Sequence, residues 1–124
     1  MAHPDTATNP RSEAQVIAEQ NDRFRRAMLR GGSGLPGRTV TTQGVSALGS
    51  DFVLAAMLAV AAFDSFDEDN DPYGERDFGA FVVAGEKLFW KIDLYDNDLR
   101  YGSEDRADPA KTTRVLTIML RDEY

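Results

Sequence analysis

The feature that most constrains the fold is an acidic run at residues 64–77, which contains seven acids and one base. Residues 52–63 before it are almost all apolar, and residues 78–95 after it show the alternation of a β-hairpin. Charge of one sign at this density is too costly to bury. The run is therefore predicted to be a surface connection between a helix and a hairpin, and we call residues 64–77 the acidic loop.

The length and composition fit one domain. The chain has 124 residues, of which 42% are hydrophobic, and we expect a single domain over residues 12–124 after a flexible tail at 1–11 that is rich in Pro, Thr and Asn. The absence of cysteine excludes disulfides, thiolate metal sites and cysteine nucleophiles. The one histidine, His3, lies in the predicted tail, which argues against a histidine-dependent triad or a structural zinc site.

The net charge of −7 is unevenly distributed. Residues 1–51 carry six Arg against five acids, whereas residues 52–124 carry eight Lys or Arg against sixteen acids. The acidic half should repel nucleic acid and anionic membranes and attract the basic surface of a protein partner. The start has no secretory-signal pattern and the apolar run is too short to span a bilayer, so we expect a cytoplasmic protein.

Two helices are predicted. The spacing of Ser12 and Gln15 is typical of a capping box, which predicts a helix from about Glu13 to Arg30, before a glycine-rich segment ends it. A second helix is predicted over 52–63, with Ser50 as its cap. This second helix has almost no polar face, so we expect it to be buried on most sides or to form the interface of a homodimer.

Four strand segments complete the predicted fold. Residues 38–42 are typical of an edge strand, residues 78–83 and 87–95 flank a glycine-containing turn, and residues 112–120 favour a strand near the C terminus. Alternation places Leu88 and Trp90 on the face toward the helices. The predicted fold class is α+β, with two helices packed on one face of a small, mainly antiparallel sheet of three to four strands.

Several segments together resemble a family. They are 21–26 (NDRFRR), 68–75 (EDNDPYGE), 77–81 (DFGAF), 89–93 (FWKID), 95–96 (YD), 99–103 (LRYGS) and 114–120 (RVLTIML). In this order they look like a small alphaproteobacterial domain family of unknown function, often found on plasmids and other mobile elements, over about residues 15–124. The resemblance implies no activity and no catalytic residue.

The spacing of the acids in the acidic loop partly matches a calcium-binding pattern. Asp67, Asp69 and Asp71 alternate like the first ligands of an EF-hand loop, but Pro72 stands where glycine is needed and Phe78 where a bidentate glutamate is needed. We therefore predict no metal site and no cofactor. A Ca²⁺ or Mg²⁺ site of another kind, built from Asp67, Asp69, Asp71 and Glu75, stays open as an alternative.

Catalysis is the second alternative. A metal-assisted or carboxylate-based enzyme acting on a small or phosphorylated substrate would need acids to converge at one end of the hairpin, and the candidates are Asp77, Asp93, Asp96 and Asp98. Spacing alone does not bring them together, so no residue is assigned a catalytic role. Four arginines near the end of the first helix, Arg23, Arg25, Arg26 and Arg30, are expected to pair with the domain's own acids rather than to bind phosphate.

The favoured function is that of a non-enzymatic acidic binding protein. Its carboxylates would dock onto a basic groove that normally holds nucleic acid, and an inhibitor of a host defence nuclease or of a CRISPR complex is the most specific form of this hypothesis. The predicted partner-binding residues are Asp67, Glu68, Asp69, Asp71, Tyr73, Glu75, Asp77, Asp96 and Asp98. Direct binding of nucleic acid or of a membrane is not expected.

Overall fold

The computed structural model describes residues 11–124, so His3 and nearly all of the predicted tail lie outside the described residues. The helices are α1 (Glu13–Arg26), α2 (Gln43–Ser46) and α3 (Ser50–Ala62), and a 3-10 turn (Arg121–Glu123) follows the last strand. The strands are β1 (Gly37–Thr41), β2 (Phe78–Val83), β3 (Glu86–Tyr95) and β4 (Thr113–Leu120). Within residues 11–124 no helix is both long and apolar enough to cross a membrane.

The four strands form one mixed sheet in the order β1-β4-β3-β2. β2 pairs with β3 and β3 with β4 in antiparallel fashion, whereas β1 runs parallel to β4. The core lies between this sheet and the helices, where Leu88, Trp90 and Ile118 are fully buried. The α+β prediction with a mainly antiparallel sheet is confirmed, and β1 is indeed an edge strand.

The start of α1 was predicted correctly and its end was not. The Ser12 side chain accepts from the Gln15 amide at 3.1 Å, and the Gln15 side chain accepts from the Ser12 amide at 2.8 Å, which is the capping box. The helix ends at Arg26 rather than Arg30, because the chain tightens into a turn in which the Arg30 amide donates to Ala27 O at 2.9 Å. The helical ladder therefore stops before the glycines.

Helix α3 differs from the prediction at its cap and in its burial. Its N-cap is Gly49, with φ of 100°, and Ser50 is already the first helical residue. Only Ala56 and Val60 are buried, while Leu54 and Leu58 are 50% and 55% exposed. The expectation of burial on most sides was wrong, because the sheet and α1 cover only one side of the helix. The short helix α2 was not predicted at all.

The β2–β3 hairpin was predicted in the right place. It closes through a two-residue turn in which Ala84 and Gly85 have φ of 51° and 81°, the backbone of a type I′ turn. In β3 the predicted alternation holds, since Leu88, Trp90, Ile92 and Leu94 are buried under the helices. On the opposite face, which we call the open face, the chain after the 3-10 turn packs against the sheet, where the Tyr124 ring contacts the rings of Phe78 and Phe89.

Candidate functional site

The first half of the acidic loop is closed by its own side chains. One carboxylate oxygen of Asp67 accepts the amides of Asp69 and Asn70 at 2.9 and 3.0 Å. The Asn70 side chain in turn accepts from the Asp67 amide at 2.9 Å and donates to Ser65 O at 2.7 Å. These are the side-chain-to-backbone bonds that define Asx turns. Asp67 therefore holds the shape of the loop.

The second half is closed in a similar way by Asp71. Its carboxylate accepts the Arg76 amide at 2.9 Å, and its carbonyl accepts the Gly74 amide at 3.1 Å. Gly74 and Arg76 both have positive φ, of 71° and 54°. Since this backbone is unfavourable for arginine, the bond from Asp71 stabilises a local conformation that the sequence alone would not select.

Glu75 joins the acidic loop to the second predicted site segment. Its two carboxylate oxygens accept from Arg106 at 2.7 and 2.6 Å, a bidentate ion pair. The contact with Glu75 raises the pKa of Arg106. The Glu75 carbonyl also accepts from the Asn21 side chain on α1 at 3.0 Å. The acidic loop and residues 96–112 are therefore held side by side.

Asp77 occupies a different environment from the other acids. It is half-buried where the loop enters β2, and its carbonyl accepts the Ile92 amide at 2.8 Å. Burial raises the pKa of its carboxyl, and the nearby charges of Glu75 and Asp71 add to that effect. Ionising the Asp77 carboxyl in the folded protein therefore costs more than ionising it in water.

Some of the predicted residues are exposed and face solvent. Glu68, Asp69 and Asp98 are exposed, and among the described residues their carboxylates make no hydrogen bond or ion pair. Tyr73 is 82% exposed. Asp96 differs, since it is half-buried and accepts the Arg100 amide at 3.0 Å. The predicted site residues therefore divide into some that shape the loops and some that face solvent.

The sheet topology brings the two acidic segments to one end of the molecule. β2 begins after residue 77, β3 ends before residue 96 and β4 begins after residue 112, all at the same end of the sheet. Residues 64–77 hold seven acids and one base, and residues 96–112 hold five acids and three bases. The two segments together carry a charge of −8, whereas the whole chain carries −7. We call these two segments the acidic end. The rest of the chain is close to neutral.

The acidic end has no arrangement typical of a metal centre. Within residues 11–124 no group of three or more acids or histidines is placed to hold an ion. Asp67 and Asp71 each direct one carboxylate oxygen at backbone amides of the acidic loop. The alternation that resembles an EF-hand instead builds two consecutive turns.

Arg25 and Asp22 of helix α1 connect this helix to the C terminus of α3 and to the acidic loop. The Arg25 guanidinium is fully buried and donates to the carbonyls of Val60 and Phe63 at 2.7 and 2.6 Å, which caps the C terminus of α3. It also donates to Asp22 at 2.9 Å. Burial lowers the pKa of Arg25, and the bond to Asp22 works against that shift.

Asp22 then links the helix to the acidic loop. Its second oxygen accepts from Arg76 at 2.6 Å and lies 3.8 Å from Arg26. The expectation that the helix arginines pair with the domain's own acids is therefore confirmed for Arg25 and Arg26. Asp22 was not predicted, and the signal that could have found it is its spacing of three and four residues from those two arginines.

Arg114 is a second buried arginine, and its burial was not predicted. It is fully buried at the start of β4 and donates to the side chains of Asn21 and Gln20 at 2.9 and 2.7 Å. No carboxylate among the described residues pairs with it, and its Nη1 has no partner there. Burial lowers its pKa to about 10. Its alternation with Leu116 could have indicated that it faces the core.

The fold and the site together define a small α+β protein whose charge is concentrated at one end of its sheet. The chain belongs to the DUF3768 family, described as a protein of unknown function, whose model matches residues 41–123. The match contains β2, β3, β4 and the whole acidic end but not α1. Neither a search of curated proteins nor a search of solved structures found a match to this chain.

Proposed function

We propose that the protein is a non-enzymatic binding protein whose acidic end docks onto the basic surface of a protein partner. The observation that carries this proposal is the placement of a net −8 in two segments at one end of the sheet, with the remainder close to neutral. A concentrated field of this kind steers a basic partner to one face and rejects nucleic acid.

The internal bonds of the loop support docking because they fix its shape in advance. One carboxylate oxygen of Asp67 and one of Asp71 accept hydrogen bonds from loop amides, and the Glu75 carboxylate is bound by Arg106. A preformed loop loses less conformational entropy on binding than a mobile one. These three acids contribute charge and fix the shape of the loop. The exposed acids Glu68 and Asp69 would make the direct ion pairs with the partner.

Exposed aromatic side chains beside the acids add an anchoring contact. Tyr73 is 82% exposed and Tyr101 is 73% exposed, one in each segment of the acidic end. Tyrosine is enriched among the residues that dominate binding energies, because it buries a large apolar area and keeps a polar tip. The proposed contact surface therefore combines Glu68, Asp69 and Asp98 with Tyr73.

The most specific form of the proposal is nucleic-acid mimicry. A basic groove that normally holds DNA or RNA would accept the carboxylates of the acidic end in place of phosphates, and would release the same kind of bound counterions. The resemblance to a family from mobile elements favours a host defence nuclease or a CRISPR complex as the partner. In this form the protein acts as an inhibitor.

The test uses two matched double variants. In one, Glu68→Gln and Asp69→Asn neutralise two exposed acids whose carboxylates bond to no other residue that the structure describes. In the control, Asp51→Asn and Glu86→Gln neutralise two exposed acids outside the acidic end. Asp67 and Asp71 are left intact because changing them would unfold the turns. Each tagged protein is used to capture partners from native-host lysate over a salt gradient.

We expect wild type and control to capture the same basic protein, with a steep loss as salt rises, and the acidic-end variant to lose it. The purified partner should then lose its nucleic-acid binding when wild type is added and keep it when the acidic-end variant is added. Equal capture by the two double variants, or capture that salt does not weaken, would overturn the proposal.

One observation favours the enzyme alternative, a metal-assisted or carboxylate-based reaction on a small or phosphorylated substrate. Asp77 has a raised pKa through burial, as general acids do. Calorimetry with Ca²⁺, Mg²⁺ and Mn²⁺ separates the two candidates. Stoichiometric metal binding that Asp77→Asn removes would favour an enzyme, and its absence in the presence of partner capture would favour docking.

A further inference from the structure

Strand β2 lies at the edge of the sheet, and its outer edge is unusually bare. Its sequence, FGAFVV, contains no charged residue and no proline. Natural sheets usually protect a free edge with charge, proline or a bulge, because unpaired backbone groups on a flat apolar strand attract another strand. The other edge strand, β1, carries Arg38 and is flanked by α2. β2 has none of these protections.

The hairpin geometry shows which backbone groups of β2 are unpaired. The Ile92 amide donates to Asp77 O at 2.8 Å, which makes this pair hydrogen-bonded, and alternate pairs share that property in an antiparallel ladder. Gly79, Phe81 and Val83 therefore bond to β3. The amides and carbonyls of the residues between them, Phe78, Ala80 and Val82, point away from β3, and no described residue pairs with them.

We propose that a second copy of this chain pairs with β2 about a twofold axis at Ala80. In an antiparallel pairing, Ala80 faces Ala80 of the second copy, and Phe78 faces Val82 of the second copy. This single register joins every outward amide to an outward carbonyl, and none is left over on either strand. The result is a continuous eight-stranded sheet, and the interface lies outside the acidic end used in the proposed function.

The side chains along β2 fit this register on both faces. On the open face, each Phe78 ring would pack against a Val82 side chain, and Val82 is now 58% exposed. On the helix face, Phe81 would lie opposite Gly79 of the second copy, beside the Phe63 ring that covers that glycine. Both kinds of contact are apolar, and they occur twice because of the symmetry.

Helix α3 provides the second part of the same interface. It lies over β2, where Phe63 at its C-cap would touch a Cβ at Gly79. Met57 lines a cavity with Phe24 and Met28 of the α1 segment. The helical repeat places Ala55, Ala59 and Ala62 on the side of α3 away from Met57, toward the free edge. Small apolar residues there let the two copies of α3 approach each other.

The charge distribution selects the antiparallel twofold arrangement over a parallel one. A parallel pairing would set the two acidic loops about 5 Å apart at adjacent strand starts. In the antiparallel register Asp77 faces Val83 of the second copy, so the two loops are about 20 Å apart along the sheet. A second copy of the chain supplies, about the twofold axis, a partner for each outward amide and carbonyl of Phe78, Ala80 and Val82.

The test begins with sedimentation velocity of the full chain over a range of concentrations. We expect a concentration-dependent dimer for wild type and a loss of the dimer for Ala80→Pro, which removes one outward amide and leaves the β3 ladder intact. Ala80→Val keeps that amide and should keep the dimer. Val82→Lys should also break the dimer, while Val40→Lys, at a 37% exposed site on the opposite edge, is the matched control.

Hydrogen exchange followed by NMR gives a readout that does not depend on the variants. Raising the protein concentration should slow exchange at the amides of Phe78, Ala80 and Val82, whereas Gly79, Phe81 and Val83 should be protected throughout. Circular dichroism checks that each variant is folded. A wild type that stays monomeric at high concentration would overturn the inference. The inference would also be overturned if a folded Ala80→Pro variant still formed the dimer and a Leu58→Glu variant did not, because the interface would then be the exposed face of α3 rather than the edge of β2.

Discussion

The guanidinium of Arg106 lies against the carboxylate of Glu75, with Nη1–Oε2 and Nη2–Oε1 distances of 2.7 and 2.6 Å. The pair connects residues that are 31 positions apart and holds the two halves of the acidic end together. The Glu75 side chain is only 12% exposed, against 40% for that of Arg106. The largely buried carboxylate therefore depends on an arginine that remains partly in solvent.

Arg106→Gln should lower the free energy of unfolding by about 1–2 kcal/mol, since it leaves the Glu75 carboxylate without its charge-assisted bonds. Urea unfolding gives the value. Arg100→Gln, at an exposed site in the same loop that makes no ion pair within residues 11–124, should change the free energy of unfolding by less than about 0.5 kcal/mol. A double-mutant cycle with Glu75→Gln isolates the coupling, and a coupling near zero would show that the pair does not connect the loops.

The arginine that caps α3 should matter more to stability than any exposed one. Arg25→Met removes the donors to Val60 and Phe63 and one partner of Asp22, so we expect a loss of about 3 kcal/mol in the free energy of unfolding. Arg26→Met is the control, because its side chain is 58% exposed and lies 3.8 Å from Asp22. It should cost under about 1 kcal/mol. Similar losses in both variants would contradict the role of Arg25.

The hairpin and the alternation of β3 were predictable because they depend on local periodicity and turn chemistry. A type I′ turn needs residues that accept positive φ, and the buried face of β3 repeats every second residue. The end of α1 was less predictable, because the turn that begins at Ala27 precedes the glycines and no residue type in the sequence marks it. The exposed face of α3 could not be foreseen, since an apolar pattern does not reveal what covers it.

The acidic end shows the same limit for the site. The sequence predicted which residues are acidic and where they lie along the chain, but not that Asp67 and Asp71 would point at their own loop amides. The pairing of Arg114 with Asn21 joins residues 93 positions apart. Contacts at this separation depend on the sheet order, in which β4 lies between β1 and β3. No local pattern encodes that order.

The raised pKa of Asp77 predicts how its contribution to stability depends on pH. Because the pKa is higher in the folded state than in the unfolded state, the folded protein binds more protons between those two values, and stability falls as pH rises through that window. At neutral pH the full penalty of the buried charge is present. Asp77→Asn removes it, so this variant should unfold at a higher urea concentration than wild type at pH 7.

The difference between Asp77→Asn and wild type should disappear at about pH 3, where the carboxyl is protonated in both states. Urea midpoints at the two pH values measure this. Asp98→Asn, at an exposed position in the other segment of the acidic end, controls for the removal of one negative charge. An equal gain in both variants at pH 7 would assign the effect to general charge repulsion rather than to the burial of Asp77.

Gly79 lies where the sheet meets the end of α3 with no space for a side chain. A Cβ there would clash with Trp90 Nε1 and with the Phe63 ring. Gly79→Ala should therefore displace both rings and lower the free energy of unfolding by about 1–3 kcal/mol. The fluorescence of Trp90, which is the only tryptophan in the chain, reports the displacement directly. Gly102→Ala meets nothing within 4 Å and is the control. If Gly79→Ala left both the fluorescence and the stability at wild-type values, the close packing of Trp90 against β2 would be refuted.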